Sequence, residues 1–154
     1  MNKKIAKKFI LENFSTTKKN QNSSKVSLGY PSYGWEEVYE ALESMLEMKT
    51  TMGEKVKKFE KLFAEYIGVK YALMVNSGSS ANLLALSILS NPILENKRIK
   101  ENDEIITPAI TWSTTVFPII NINAKPVFVD VDPRTYNIDT KKIEKAITKK
   151  TKAI

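Results

Sequence analysis

The chain contains no cysteine and no histidine, and only two of its 24 basic residues are arginine, Arg98 and Arg134. Each absence removes a class of chemistry. Without cysteine there is no disulfide framework, no thiolate nucleophile and no Cys-ligated zinc. Without histidine there is no Ser–His pair, no His-ligated metal and no imidazole acid or base. Catalysis within these residues is left to carboxylates, lysine, tyrosine, hydroxyls or a bound cofactor. The scarcity of arginine counts against nucleic acid, because its bidentate fork is the usual reader of phosphates and guanine edges. No apolar run reaches the roughly 18 residues that a membrane span requires, and no signal-peptide core follows the basic start. The chain reads as a cytoplasmic protein without membrane or nucleic-acid partners.

What is present is ordinary for a globular protein: 154 residues, 42% apolar and 27% charged, about one domain in length. The formal charge of +7 is unevenly placed. Residues 1–25 hold seven lysines against one acid, Glu12, so this arm carries nearly the whole excess. A polar stretch over residues 15–27 separates it from a near-neutral body. This divides the chain into a basic arm and linker, residues 1–29, and a body, residues 30–154. Ile5, Phe9, Ile10 and Phe14 recur at helical spacing in the arm. It is either a solvated or packing arm or, in a different functional class, a non-enzymatic module that binds anionic surfaces through its lysines.

The body alternates helices and strands. Trp35, Val38, Tyr39, Leu42, Met45 and Leu46 share one helical face, with Glu36 and Glu37 near the positive end of its dipole. Val56, Phe59, Leu62, Phe63, Tyr66 and Ile67 mark a second helix, which Gly68 is placed to stop. Residues 71–75 read as a short apolar strand and residues 81–90 as a third helix. After a basic polar loop, residues 103–108 read as a strand, 113–122 as a helix despite Pro118, and 126–131 as a strand. Asp139 is placed to cap a last helix over 140–147. Residues 151–154 look like the start of a further strand. The alternation predicts an α/β layer with a parallel or mixed sheet, truncated within its pattern.

Three loops carry chemical interest. Asn76-Ser77-Gly78-Ser79-Ser80-Ala81-Asn82 opens a helix, and a helix start offers free N–H groups and a positive dipole end to a phosphate. It lacks the P-loop and dinucleotide signatures, which favours a single phosphate over a nucleotide's chain of them. The alternative is a serine that merely caps the helix. Thr107-Pro108-Ala109-Ile110-Thr111-Trp112-Ser113-Thr114-Thr115 follows a strand, and Trp112 could offer a flat face to a planar ring or simply cover the sheet. Together these two loops suggest a phosphorylated aromatic cofactor such as pyridoxal phosphate. Asp130 and Asp132 share a strand face, but Pro133 directly afterwards favours a turn in which Asp132 bonds local backbone.

On these residues the sequence resembles the amino-terminal part of the DegT/DnrJ/StrS sugar aminotransferase family. The matching blocks are Thr51-Met52-Gly53, Gly68-Val69-Lys70-Tyr71-Ala72, Val75 through Leu84, Trp112-Ser113-Thr114-Thr115 and Phe128-Val129-Asp130-Val131-Asp132. The Ser-Gly-Ser-Ser-Ala-Asn-Leu-Leu and Trp-Ser-Thr-Thr wordings are most similar to the branch that removes the 3-hydroxyl of nucleotide-linked 4-keto-6-deoxyhexoses. The resemblance implies the large domain of the aspartate aminotransferase-like fold (pyridoxal phosphate fold type I), truncated. It implies pyridoxal or pyridoxamine phosphate as cofactor, held by Gly78 and Ser79 at the phosphate with Trp112 on the ring. It places Thr51, Met52 and Gly53 near the entrance for a nucleotide-linked keto sugar. It further implies a homodimer, glutamate as amino donor, and a place in deoxysugar and lipopolysaccharide biosynthesis. The Asp that pairs with the ring nitrogen, and the Lys or His that moves protons, fall after position 154 in the family's order. No catalytic residue is therefore assigned, and the chain alone is expected to be inactive.

Overall fold

Residues 2–13 and 33–154 are described by the computed structural model, which divides into two units, Met1–Met74 and Val75–Ile154. Phe14, the polar stretch 15–27 and Tyr30 lie outside the described residues.

The Met1–Met74 unit is helical: α1 (Lys3–Asn13), α2 (Trp35–Leu46) and α3 (Glu54–Ile67). The face of α1 that packs is not the one its largest apolar residues suggest. Ala6 and Ile10 are buried with Tyr39 of α2, beside Trp35, Val38 and Leu42, whereas Ile5 and Phe9 remain exposed. Ala6 and Ile10 lie four apart, so they share a stripe, and the small Ala6 lets the helices approach. Lys3 and Lys7 flank that stripe, with their ammonium groups 5.1 Å from the Tyr39 ring centre and 4.5 Å from that of Trp35. At the start of α2, Glu37 accepts from the Gly34 amide at 2.6 Å, which holds its carboxyl below the usual range. Lys55 in the first turn of α3 pairs with Glu40 at 2.7 Å and Glu43 at 3.3 Å on α2. Gly68 ends α3 in the left-handed region (φ 79°), where its N–H and that of Val69 return to Ala64.

Residues 71–75 are not a strand, which corrects the expectation from their apolar run. A strand requires a neighbour to take its N–H and C=O groups, and none of the described strands runs beside this segment. Its Met74 amide instead donates to Glu60 of α3 at 2.9 Å.

In the Val75–Ile154 unit, α4 (Gly78–Leu89) begins three residues earlier than its apolar pattern suggests, because Ser77 caps it. Pro92–Lys97, expected as loop, forms 3-10 turns broken by a kink at Glu95 (φ 49°), with Asn91 accepting from the Ile93 amide and Pro92 at the first position. Then follow β1 (Glu104–Pro108), α5 (Ser113–Asn121), β2 (Lys125–Val129), α6 (Thr140–Ala146) and β3 (Thr151–Ala153). The three strands make a parallel sheet in the order β2-β1-β3, with Ile106 opposite Val127 and Ile105 opposite Ala153. The alternating elements thus give the parallel option of the two expected. The central strand is buried, and Ile105, Ile119, Ile99 and Ala124 form the core with Leu86, Ile122 and Ala153 against them. Pro118 sits inside α5 and is buried there.

Candidate functional site

The site is built first from a helix start. In α4 the Ala81 amide is the first to bond within the helix, to the Ser77 carbonyl at 3.0 Å. Three earlier amides are left over, those of Gly78, Ser79 and Ser80. The Ser77 hydroxyl takes the Ser80 amide at 3.2 Å and also lies 3.2 Å from the Ser80 hydroxyl. The cap therefore consumes Ser77 and Ser80 and leaves the amides of Gly78 and Ser79 without partners among the described residues. Of the two alternatives posed from sequence, capping is observed, and it leaves two amides free among the described residues. No acidic side chain lies in the first turn, and the space over the Gly78 Cα is open for 4 Å.

The second part is Trp112. It stands immediately before α5, where its carbonyl accepts from the Thr115 amide at 2.9 Å, while Thr111 and Thr115 join hydroxyls at 3.1 Å. The indole is 76% exposed, so it does not cover the sheet. What positions it relative to α4 is the packing of α4 on α5, since the segment before α4 is no strand. Between these helices runs a groove of about 200 Å³, with Ser79, Ser80 and Leu83 on one wall and Thr114, Phe117 and Asn121 on the other. Ser79 and the first turn of α5 after Trp112 thus share one groove.

These residues fit a phosphorylated planar group. Two free amides at the positive end of a 12-residue helix, with the Ser79 hydroxyl, suit a phosphate monoester. An exposed indole suits a flat ring. No histidine or cysteine enters, and no cluster of metal-ligating side chains occurs among the described residues.

Thr51, Met52 and Gly53 belong to the other unit. They are exposed and lead into α3, with Gly53 as its cap residue. Thr51 and Gly53 line a surface cavity of about 470 Å³ together with Ser44, Lys49 and Lys55, while Met52 stands outside it. Lys49 is held by Glu47 at 2.8 Å, which raises its pKa.

Asp132 bonds local backbone, as the turn reading expected, while Asp130 also reaches Lys142 of α6. Asp130 accepts from the Val131 amide and pairs with Lys142, both at 2.9 Å, and Lys142 lowers its pKa most. Asp132 accepts the Arg134 amide at 2.9 Å and its guanidinium at 3.1 Å, which lowers its pKa likewise. Sequence reasoning missed that Ser77 and Ser80 are tied to each other. The Ser-x-x-Ser spacing was the available signal, since a capping serine reaches the third amide of its helix.

The fold matches solved structures of pyridoxal phosphate fold type I, and the family follows from the sequence. The profile of the DegT/DnrJ/EryC1/StrS aminotransferase family matches residues 32–154, and the chain belongs to that family. It is 45% identical to GDP-4-keto-6-deoxy-D-mannose 3-dehydratase of Yersinia pseudotuberculosis over 134 residues, covering 84% of this chain and 34% of that protein. It is 48% identical over 121 residues to lipopolysaccharide biosynthesis protein RfbH of Salmonella typhimurium, covering 79% and 28%. The structure of the E. coli GDP-4-keto-6-deoxy-D-mannose-3-dehydratase with bound hydrated PLP superposes with a TM-score of 0.71 at 41% identity, covering 82% of this chain and 32% of that one. The chain spans about a third of the length of these relatives. Among the described residues no helix is long and apolar enough to cross a membrane.

Proposed function

We propose that this chain carries the phosphate and ring-stacking part of the cofactor site of a pyridoxal or pyridoxamine phosphate enzyme. The enzyme acts on a nucleotide-linked 4-keto-6-deoxyhexose, removing its 3-hydroxyl, in cytoplasmic deoxysugar and lipopolysaccharide biosynthesis. The observation that carries this is the pair of free amides at Gly78 and Ser79 beside the helix that Trp112 opens. Both amides, with the Ser79 hydroxyl, hold the phosphate, and Trp112 orients the ring by stacking. When bound, the cofactor supplies an electron sink for breaking bonds next to the sugar's keto carbon. Thr51, Met52 and Gly53 line the approach of the nucleotide sugar.

Relatives support the substrate and donor. The Yersinia relative is a dehydratase of a GDP-linked 4-keto sugar. One solved dehydratase was captured with PLP bonded to glutamate, which supports glutamate as amino donor. A homodimer completes the site in this reading, and the groups that pair with the ring nitrogen and move protons are not among these 154 residues. Amino transfer to the same class of keto sugar is the second reading, favoured by the family's aminotransferase members.

The test is a pyridoxal phosphate titration of the Trp35→Phe chain, which leaves Trp112 as the reporting indole. Quenching that inorganic phosphate reverses is expected, with no turnover of a GDP-linked 4-keto sugar. Ser79→Ala should weaken binding several-fold, up to about tenfold if a charge-assisted hydrogen bond worth ~1.5 kcal/mol is lost. Quenching insensitive to both phosphate and Ser79→Ala would sink the assignment.

A further inference from the structure

Trp112 stands where a helix favours a residue that can cap it. Ser, Thr, Asp and Asn lead at that position because a side-chain oxygen takes a free amide of the first turn, whereas an indole has only an N–H to donate. Trp112 accordingly makes no side-chain cap bond to α5. Packing does not fix its ring either. The indole is largely exposed, and no aromatic ring or cation stacks on it among the described residues. What is held is the backbone. Trp112 is extended (φ −70°, ψ 142°), and its carbonyl accepts the Thr115 amide at 2.9 Å. The Thr111 and Thr115 hydroxyls meet at 3.1 Å, joining the residue just before Trp112 to the first turn of α5. These two bonds bracket Trp112 from both sides. Both threonines are β-branched and stiff at χ1, so the link restricts the chain more than two serines would.

We propose that Thr111 and Thr115 are positioning residues: their hydroxyl bond clamps the Trp112 backbone and so fixes where the indole stands for a flat ring to stack on it. The stacking role rests on the cofactor-site reading above. An exposed side chain on a loose backbone must be ordered when a ring binds, and that ordering lowers affinity. A backbone clamped beforehand leaves only the side-chain torsions to order. The pair is open to water, which competes for both hydroxyls, so it contributes little to folding stability. Its mark is therefore expected on the order of the indole and on ring binding.

Thr111→Val and Thr115→Val keep the branched shape and remove one hydroxyl each. Both are read in the Trp35→Phe chain, whose remaining indole is Trp112. Without cofactor, time-resolved fluorescence depolarisation should show a larger fast motion of the indole in either variant. Thr111→Ser keeps the hydroxyl and should restore most of the order. Pyridoxal phosphate quenching should weaken several-fold in each valine variant, and no further in the double variant, because either change breaks the same bond. The urea midpoint should stay that of the parent chain. Unchanged depolarisation in the valine variants overturns the clamp, as does simple additivity in the double variant. A loss of ring binding that merely follows a fallen urea midpoint overturns it too. If pyridoxal phosphate does not quench the parent chain, the cofactor-site reading fails by itself, and depolarisation still decides the clamp.

Discussion

In the Val75–Ile154 unit a central parallel strand is covered by isoleucines, and helices pack over it through Ile119 and Leu86. In the Met1–Met74 unit a small cluster of Ala6, Ile10 and Tyr39 joins two helices, and the third is tied on by Lys55. The apolar stripe of α3, from Phe59 through Ile67, stays largely exposed, with Phe59 and Phe63 stacked at 5.6 Å. Both units have amphipathic helices, so amphipathicity is not what separates them. The difference is the partner: a sheet presents a continuous surface that several helices can cover, whereas a lone helix pair buries only one stripe each.

The largest effect should come from the same kind of truncation made in each unit. Ile119→Ala removes a fully buried side chain and is expected to cost about 2–5 kcal/mol, read as a lower urea midpoint for the whole sheet unit. Ile10→Ala should instead speed hydrogen exchange in α1 and leave the β1 amides protected. Equal loss of protection in both units would erase the contrast. Next comes the cap. Ser77→Ala frees the Ser80 amide and should cost about 0.5–2 kcal/mol, with the earliest exchange in the first turn of α4. A stability unchanged by Ser77→Ala would mean that the cap contributes nothing.

Acid gives the smallest effect and is shared by both units. Asp130 and Asp132 in one, and Glu37 and Glu43 in the other, have folded pKa values below their ordinary ones. Their contribution is present above the ordinary carboxylate range and is lost as pH falls through the depressed folded values. Midpoints in both units should therefore decline together below about pH 4 and recover on return to neutrality. High salt should weaken the exposed Lys55 pairs before it touches the core. An acid response confined to one unit would show that the pairs of the other are not formed in solution.

Much of this architecture was legible because local signals agreed with each other. Gly68 ends α3, Asp139 caps α6, and the apolar runs of β1 and β2 pair as strands. The alternation of elements gave the class, and the loop motifs gave the family. What was not legible depended on partners. Residues 71–75 have a strand's composition, yet without a neighbour their backbone has nothing to pair with. In α1 the helical spacing of Ile5, Phe9 and Ile10 was legible, but of these Ile10 alone is buried, on a stripe with the small Ala6. At the helix start the free amides were foreseeable as a group. Which two remain depended on where the Ser77 hydroxyl turns.

The strand order has a consequence for how the chain assembles. β1 meets β2 across one intervening helix, but its other neighbour, β3, arrives only after β2 and α6 have been made. One seam of the sheet closes between near neighbours in sequence, and the other closes a much longer loop at greater entropic cost. During synthesis from the amino terminus, β1, α5 and β2 can dock while the β3 edge of β1 still waits for its partner. The middle strand of these three is thus, for a time, an edge strand. Its buried Ile105 and Ile106 make that interval the one in which pairing with the wrong chain is most dangerous.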